Sequence, residues 1–308
     1  MRFAISIPQY MPDATFDASA MRRYLSRAEA LGFESAWTQE QVLGSMPHLG
    51  PLETLSYAAA CTERMRLGTA MLISSVHSPV HLAKSLSTLD QLSHGRLDVG
   101  IALGVKGTMF SAFAVDPSSR VSRFAEGIRL MKACWTESEI KFYGRFWQLD
   151  GAAMEPKPFQ KPGPPIWFGG SHPAAVRRAV RYADAFMGAG SQTTDQFAGQ
   201  VRILREALRD GGREAAAFPI AKRVYIVIDD NVERARERAV AGLERLYGYW
   251  GLTGEMLAPV AVFGSPADCV HGVREVDAAG AELILLNPLD DDAEQMERLA
   301  AEVVGMFL

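Results

Sequence analysis

Apolar residues along this chain alternate between two rhythms. Short, near-continuous runs read as strands of a sheet covered on both faces: FAISI (3 to 7), ESAWTQ (34 to 39), LGTAMLI (67 to 73) and LDVGIAL (97 to 103). Between them, apolar positions recur at helical spacing. Asp17 is placed to cap a helix carrying Met21, Leu25, Ala28 and Leu31 before Gly32 stops it. Further helices are predicted over about 51 to 63, 79 to 93 and 120 to 135, the first two opened by a proline. The second half keeps the beat, with strands IWF (166 to 168), AFMGA (185 to 189), KRVYIVI (222 to 228) and ELILLN (282 to 287). Each of these is followed by a predicted helix, at about 173, 194 to 209, 231 to 247 and after 287, with one more over 266 to 279.

Three interruptions break the pattern. IKFYGRFWQL (140 to 149) reads as a hairpin turning at Gly144, EPKPFQKPGPP (155 to 165) is too proline-rich for helix or central strand, and 248 to 264 reads as a looser segment. No low-complexity linker divides the chain. The fold class expected is therefore α/β, a (β/α)8 TIM barrel with small insertions, and the domain expected is one, over 1–308. A pair of doubly wound Rossmann domains is the alternative, although Gly100, Gly104 and Gly107 lack the G-x-G-x-x-G spacing.

Charge and composition narrow the partners. Lys+Arg 32 against Asp+Glu 36 gives a formal net charge of −4 without long single-sign blocks, which predicts neither nucleic acid nor an acidic membrane as partner. A small-molecule substrate is expected instead. Three scattered cysteines offer no disulfide framework, and with neither HExxH nor a tight His/Asp cluster no metal is expected. The opening MRFAISIPQYMPD is too short an apolar run for a signal segment, so the expected setting is the cytoplasm.

In such a barrel chemistry belongs to the loops at the C-terminal ends of the strands. WFGGSHPAAVRRA (167 to 179) puts Gly169 and Gly170 between a strand and a helix. Backbone without Cβ atoms, with Ser171 as N-cap and the positive helix end behind it, makes a cradle for an anion; an ordinary tight turn explains the same residues. At the end of the second strand, Gln39 and Glu40 offer an amide and a carboxylate, with Glu40 the candidate proton acceptor. Neither a strand-end lysine for a Schiff base nor a G-x-S-x-G elbow is present. An anion cradle beside few strong acid-base groups suits a borrowed cofactor.

The whole chain resembles the bacterial luciferase-like oxidoreductases. The resemblance lies in LGFESAWTQE (31 to 40), RLGTAMLISSVHSPVHLAK (66 to 84), the LSHGRLDVGIALG run (92 to 104), KPFQKPGPPIWFGGS (157 to 171) and AGAELILLNP (279 to 288). It implies a luciferase-like TIM barrel, a flavin-type cofactor, either the deazaflavin F420 or FMN, and a homodimer. It also implies that Gly169, Gly170 and Ser171 hold the cofactor phosphate, that a cis peptide joins Ala70 and Met71 beneath the ring, and that Gly104 to Thr108 runs along the cofactor. Many F420-dependent relatives carry Asp-His where this chain has Gln39-Glu40, so Gln39 is expected to bond ring or substrate and Glu40 to take over proton transfer. The activity expected is hydride transfer between F420 and a small organic substrate. The alternatives are an FMN-dependent monooxygenase, a non-catalytic protein that binds F420 or FMN, and a lyase or hydrolase that uses the cradle for a phosphorylated substrate.

Overall fold

In the computed structural model, residues 1–11, 14–44, 46–104 and 109–307 are described. The eight anticipated strands form where the apolar runs lie: β1 (Arg2–Ser6), β2 (Ser35–Thr38), β3 (Arg66–Thr69, resuming at Leu72–Ile73), β4 (Leu97–Ala102), β5 (Ile166–Gly169), β6 (Ala185–Gly188), β7 (Ile220–Ile228) and β8 (Leu283–Pro288). Each pairs in parallel with its neighbours, from Ala4 against Ser35 round to Arg2 against Leu283, and the sheet closes on itself. This is the (β/α)8 barrel.

Helices cover the outside: α1 (Ala18–Ala30), α2 (Pro51–Cys61), α3 (Pro79–Leu92), α4 (Arg120–Thr136), α5 (Pro173–Tyr182), α6 (Thr194–Asp210), α7 (Val232–Tyr247), α8 (Pro266–Ala278) and α9 (Asp292–Arg298). Asp17 caps α1 as expected, its carboxylate accepting from the Ser19 and Ala20 amides at 2.8 and 2.9 Å. Because successive strand residues face opposite sides, Ile5, Leu67, Val99, Phe168, Phe186, Ile226 and Leu286 pack outward under the helices. The inward positions Ala4, Trp37, Trp167, Met187, Ala221 and Leu285 fill the bore. Both faces are dry, which is why the strands read as continuous apolar runs.

Two indole rings dominate the bore. Trp37 and Trp167 meet edge to face with centroids 5.5 Å apart, and Gly68 makes room, since a Cβ there would fall 2.3 Å from the Trp37 ring. Below them, toward the N-terminal ends of the strands, Trp167 Nε1 donates to Asp98 (3.1 Å) and Asp98 pairs with Arg66 (2.7 Å).

The expected hairpin is present as Ile140–Tyr143 against Gln148–Ala152, and its turn amides at Arg145, Phe146 and Trp147 all donate to the buried Glu126 carboxylate. The segment read as loose contains a strand, Ala261–Gly264, that runs parallel to Tyr225–Ile228 of β7. It was missed because it pairs only with the part of β7 that extends beyond β6, which is a matter of register. Among the described residues no helix is long and apolar enough to cross a membrane.

Candidate functional site

The mouth of the barrel is shaped first by an interruption in β3. The peptide joining Ala70 and Met71 is cis, so the strand breaks after Thr69 and resumes at Leu72. The Thr69 hydroxyl fills the gap in the ladder, donating to Gly100 O (2.8 Å) and accepting from Gly100 N (2.9 Å). Only glycine fits opposite, because a Cβ on residue 100 would lie 1.7 Å from Thr69 O.

Across the mouth, Gly169 ends β5 and Gly170 leads toward α5. A Cβ on Gly169 would meet Met71 Cγ at 2.7 Å, and one on Gly170 would meet the Ala175 methyl at 2.9 Å. The paired glycines therefore let the turn lie against both the Met71 side chain and the helix start. Ser171 is not the N-cap. That position belongs to His172, whose backbone is extended (φ −73°, ψ 138°) and whose Nδ1 accepts from Ala174 N at 3.2 Å. Pro173 opens the helix and disfavours a helical residue before it, which fixes the cap one position later than the serine.

Ala70, Met71, Gly104, Gly169, Gly170 and Ser171, all singled out from sequence, line one cavity of about 400 Å³. Thr108 lies outside the described residues. Two cations that the sequence reading passed over also line it. Arg120, the first residue of α4, has a buried Nε without a hydrogen-bond partner among the described residues, and the same holds for Nη2 of Arg223 in β7. The rest of the Arg223 guanidinium is fixed: Nε donates to Asn287 Oδ1 (2.9 Å), Nη1 to Ala70 O (3.4 Å), and the plane lies 4.8 Å from the centre of the Tyr225 ring. No carboxylate occurs among the described residues lining this cavity. Tyr247 lines it too, its hydroxyl 2.7 Å from that of Tyr225, whose phenol burial pushes well above the ordinary range.

A second recess of about 280 Å³ adjoins the ends of β1, β2 and β8, bounded by Gln9, Tyr10, Gln39, His48 and Asn287. Gln9 clamps the backbone of residue 39 from both sides, donating to Gln39 O (2.9 Å) and accepting from Gln39 N (2.6 Å). The Gln39 amide then reaches Asn287 Oδ1 at 3.2 Å, the oxygen that also receives Arg223. Gln39 thus sits at the mouth and shares an acceptor with the cavity's guanidinium. Burial, opposed by the Leu49 carbonyl and aided by the Arg223 cation, holds His48 below the usual imidazole value.

Glu40 is placed differently from a carboxylate facing a ligand. Its side chain is 3% exposed; Oε2 accepts from Ile73 N at 2.6 Å, and Oε1 lies 2.7 Å from His77 Nε2. The contacts run to the resumed end of β3 and the turn after it. Among the described residues, no group of three or more His, Cys, Asp or Glu is arranged to hold a metal ion.

Comparison with known proteins gives the family and the fold. The model of the luciferase-like monooxygenase family matches residues 1–283. The chain is 30% identical over 228 residues to the FMNH(2)-dependent dimethylsulfone monooxygenase of Pseudomonas putida, covering 72% of this chain and 61% of that one, so it spans about six tenths of that relative's length. It is 24% identical to the F420-dependent glucose-6-phosphate dehydrogenase of Kineococcus radiotolerans, across 99% of this chain and 96% of that one. Among solved structures, monooxygenase RslO1 from Streptomyces bottropensis superposes with a TM-score of 0.86 at 23% identity, with both chains covered completely, and shares the fold.

Proposed function

The chain belongs to the luciferase-like monooxygenase family, and from that premise we propose that the cavity at the barrel mouth takes the deazaflavin F420 and that the protein passes a hydride between it and a small organic substrate. The observation that carries the reading is that, among the described residues, two guanidinium N–H groups, Arg120 Nε and Arg223 Nη2, have no hydrogen-bond partner while the lining holds no carboxylate. A buried donor without an acceptor is costly, about 1 to 3 kcal/mol, and an incoming anion relieves it. F420 and FMN both carry phosphate, so the residues present fit either.

In this reading Gly169 and Gly170 admit the phosphate to the backbone, and Arg120 donates to it from the start of α4. Arg223 lends a positive charge to the floor of the cavity, held in place by Asn287 and Ala70 O. Met71, whose side chain lies against the turn at Gly169, forms the wall behind the reactive ring. When bound, the cofactor supplies the hydride chemistry. Gln39 presents its amide in the adjoining recess, which is the proposed place for the substrate. Glu40 acts as a positioning residue, tying Ile73 and His77 so that β3 resumes at the angle that aims Met71.

A second reading, FMN-dependent monooxygenation, is favoured by the likeness to the Pseudomonas putida enzyme. The two separate in one experiment. The protein is titrated with F420 and with FMN, and turnover is then followed with and without oxygen. Binding of F420 with oxygen-independent hydride transfer supports the first reading; FMN binding with oxygen consumption supports the second. Binding without turnover over a broad substrate panel indicates a carrier, and binding of neither cofactor refutes both readings of the cavity.

A further inference from the structure

Lys222, third in β7, is 2% exposed and has no ion-pair partner among the described residues. Its stem runs past Gly188, where a Cβ would lie 3.2 Å from Lys222 Cδ and 2.4 Å from the Phe197 ring. The ammonium then emerges beneath the loop that follows β6, donating to Ala189 O (2.5 Å) and Gln192 O (2.9 Å), with the Phe197 ring 6.0 Å away. Burial, aided by the neighbouring Arg223 cation, brings its pKa down to about 7. A methionine would fill the same slot without the desolvation cost, so the charge calls for a function beyond packing.

The loop that Lys222 grips carries Gly188, Ala189, Gly190 and Ser191 along the wall of the 400 Å³ cavity. Gly190 lies flat on Tyr225, where a Cβ would come within 2.7 Å of the ring. The Ala189–Gly190 peptide is trans, and in a planar trans peptide the carbonyl and the following N–H point in opposite directions. With Ala189 O drawn down onto Nζ, the Gly190 N–H is turned away from the lysine.

We propose that Lys222 is a positioning residue: by holding Ala189 O and Gln192 O it aims the Gly190 amide into the cavity as a hydrogen-bond donor to an oxygen of the bound cofactor. The proposal rests on the cavity being the cofactor site. It adds a backbone donor from the β6 loop, beside the Gly169–Gly170 turn, set by a buried lysine side chain that touches no ligand itself.

The test uses the full chain with FMN and with F420 as separate probes, reading dissociation constants by absorbance titration and the assigned Gly190 amide by nitrogen–proton NMR. In the wild type, saturation with the cofactor that binds is expected to move the Gly190 amide proton downfield. In Lys222→Met, affinity is expected to fall at least about tenfold and that displacement to vanish at saturation, while the fold persists by circular dichroism. Unchanged affinity in Lys222→Met, or a stationary Gly190 amide in the saturated wild type, overturns the proposal while leaving the site assignment intact. The second measurement needs no variant, so it decides even if Lys222→Met does not fold. A wild type that binds neither probe overturns the site assignment, and the proposal with it.

Discussion

Glu40 separates a positioning carboxylate from one that exchanges protons. In Glu40→Gln the side-chain oxygen still accepts from Ile73 N and the new NH2 faces His77 Nε2, so both contacts persist without the carboxylate's charge. That exchange costs about 1 to 2 kcal/mol. In Glu40→Ala both contacts disappear and the Ile73 amide is left buried without an acceptor, for a total of about 3 to 5 kcal/mol. At about 2 °C per kcal/mol for a chain of this size, melting falls by about 2 to 4 °C in the glutamine variant and about 6 to 10 °C in the alanine variant. Melting is followed by circular dichroism, and turnover is measured at 25 °C, well below both transitions. If Glu40 only positions, the glutamine variant keeps kcat within about threefold, less than 1 kcal/mol of barrier, whereas alanine loses activity along with stability. A tenfold or larger fall in kcat for Glu40→Gln, with melting almost unmoved, would refute the positioning argument and make the carboxylate a participant in proton transfer.

Four other outcomes follow from the geometry. Gly100→Ala sets a Cβ 1.7 Å from the backbone oxygen of Thr69, which cannot yield, so a loss of about 3 kcal/mol or more and little soluble protein are expected; a normally folded variant would contradict the described join of β3 and β4. Gly169→Ala instead meets the flexible Met71 at 2.7 Å, so melting should hold while cofactor affinity drops about tenfold, and unchanged affinity would remove the Met71 wall from the site. Arg120→Met should weaken FMN binding but leave riboflavin, which lacks the phosphate, unaffected; equal losses for both would place Arg120 away from the phosphate. For Lys222, the unfolded side chain holds its proton up to about 10.4 but the folded one only to about 7, so between these values the unfolded chain binds more protons and stability rises with pH. Urea midpoints at pH 7 and 9 should climb more in the wild type than in Lys222→Met, and parallel curves would mean that the folded lysine keeps its proton through that window.

The barrel was legible because burial on both faces writes each strand as an unbroken apolar run and each helix as a 3.6-residue period, signals that survive in a single sequence. Ala261–Gly264 escaped because its existence depends on β7 extending beyond β6, a fact of register rather than of its own composition. Ser171 was one residue off because cap position depends on where the first turn closes, which Pro173 decided. The lining of the candidate cavity was legible where its residues sit in one short stretch, as at Gly169 and Gly170. It was obscure where partners are remote in the chain. Gln39 meets Asn287 and Glu40 meets His77 only through the closing of the sheet, and Lys222 and Arg223 read only as the first residues of the strand KRVYIVI although they stand side by side with opposite destinations. A pair of charges inside an apolar run was the available signal.

The edge-to-face indoles of Trp37 and Trp167, backed by Arg66 and Asp98, plug the bore below the cavity. Two molecules meeting at the proposed site cannot approach it from opposite ends. The proposed cofactor cavity and the proposed substrate recess both lie at the C-terminal ends of the strands, so both molecules use the same side of the sheet.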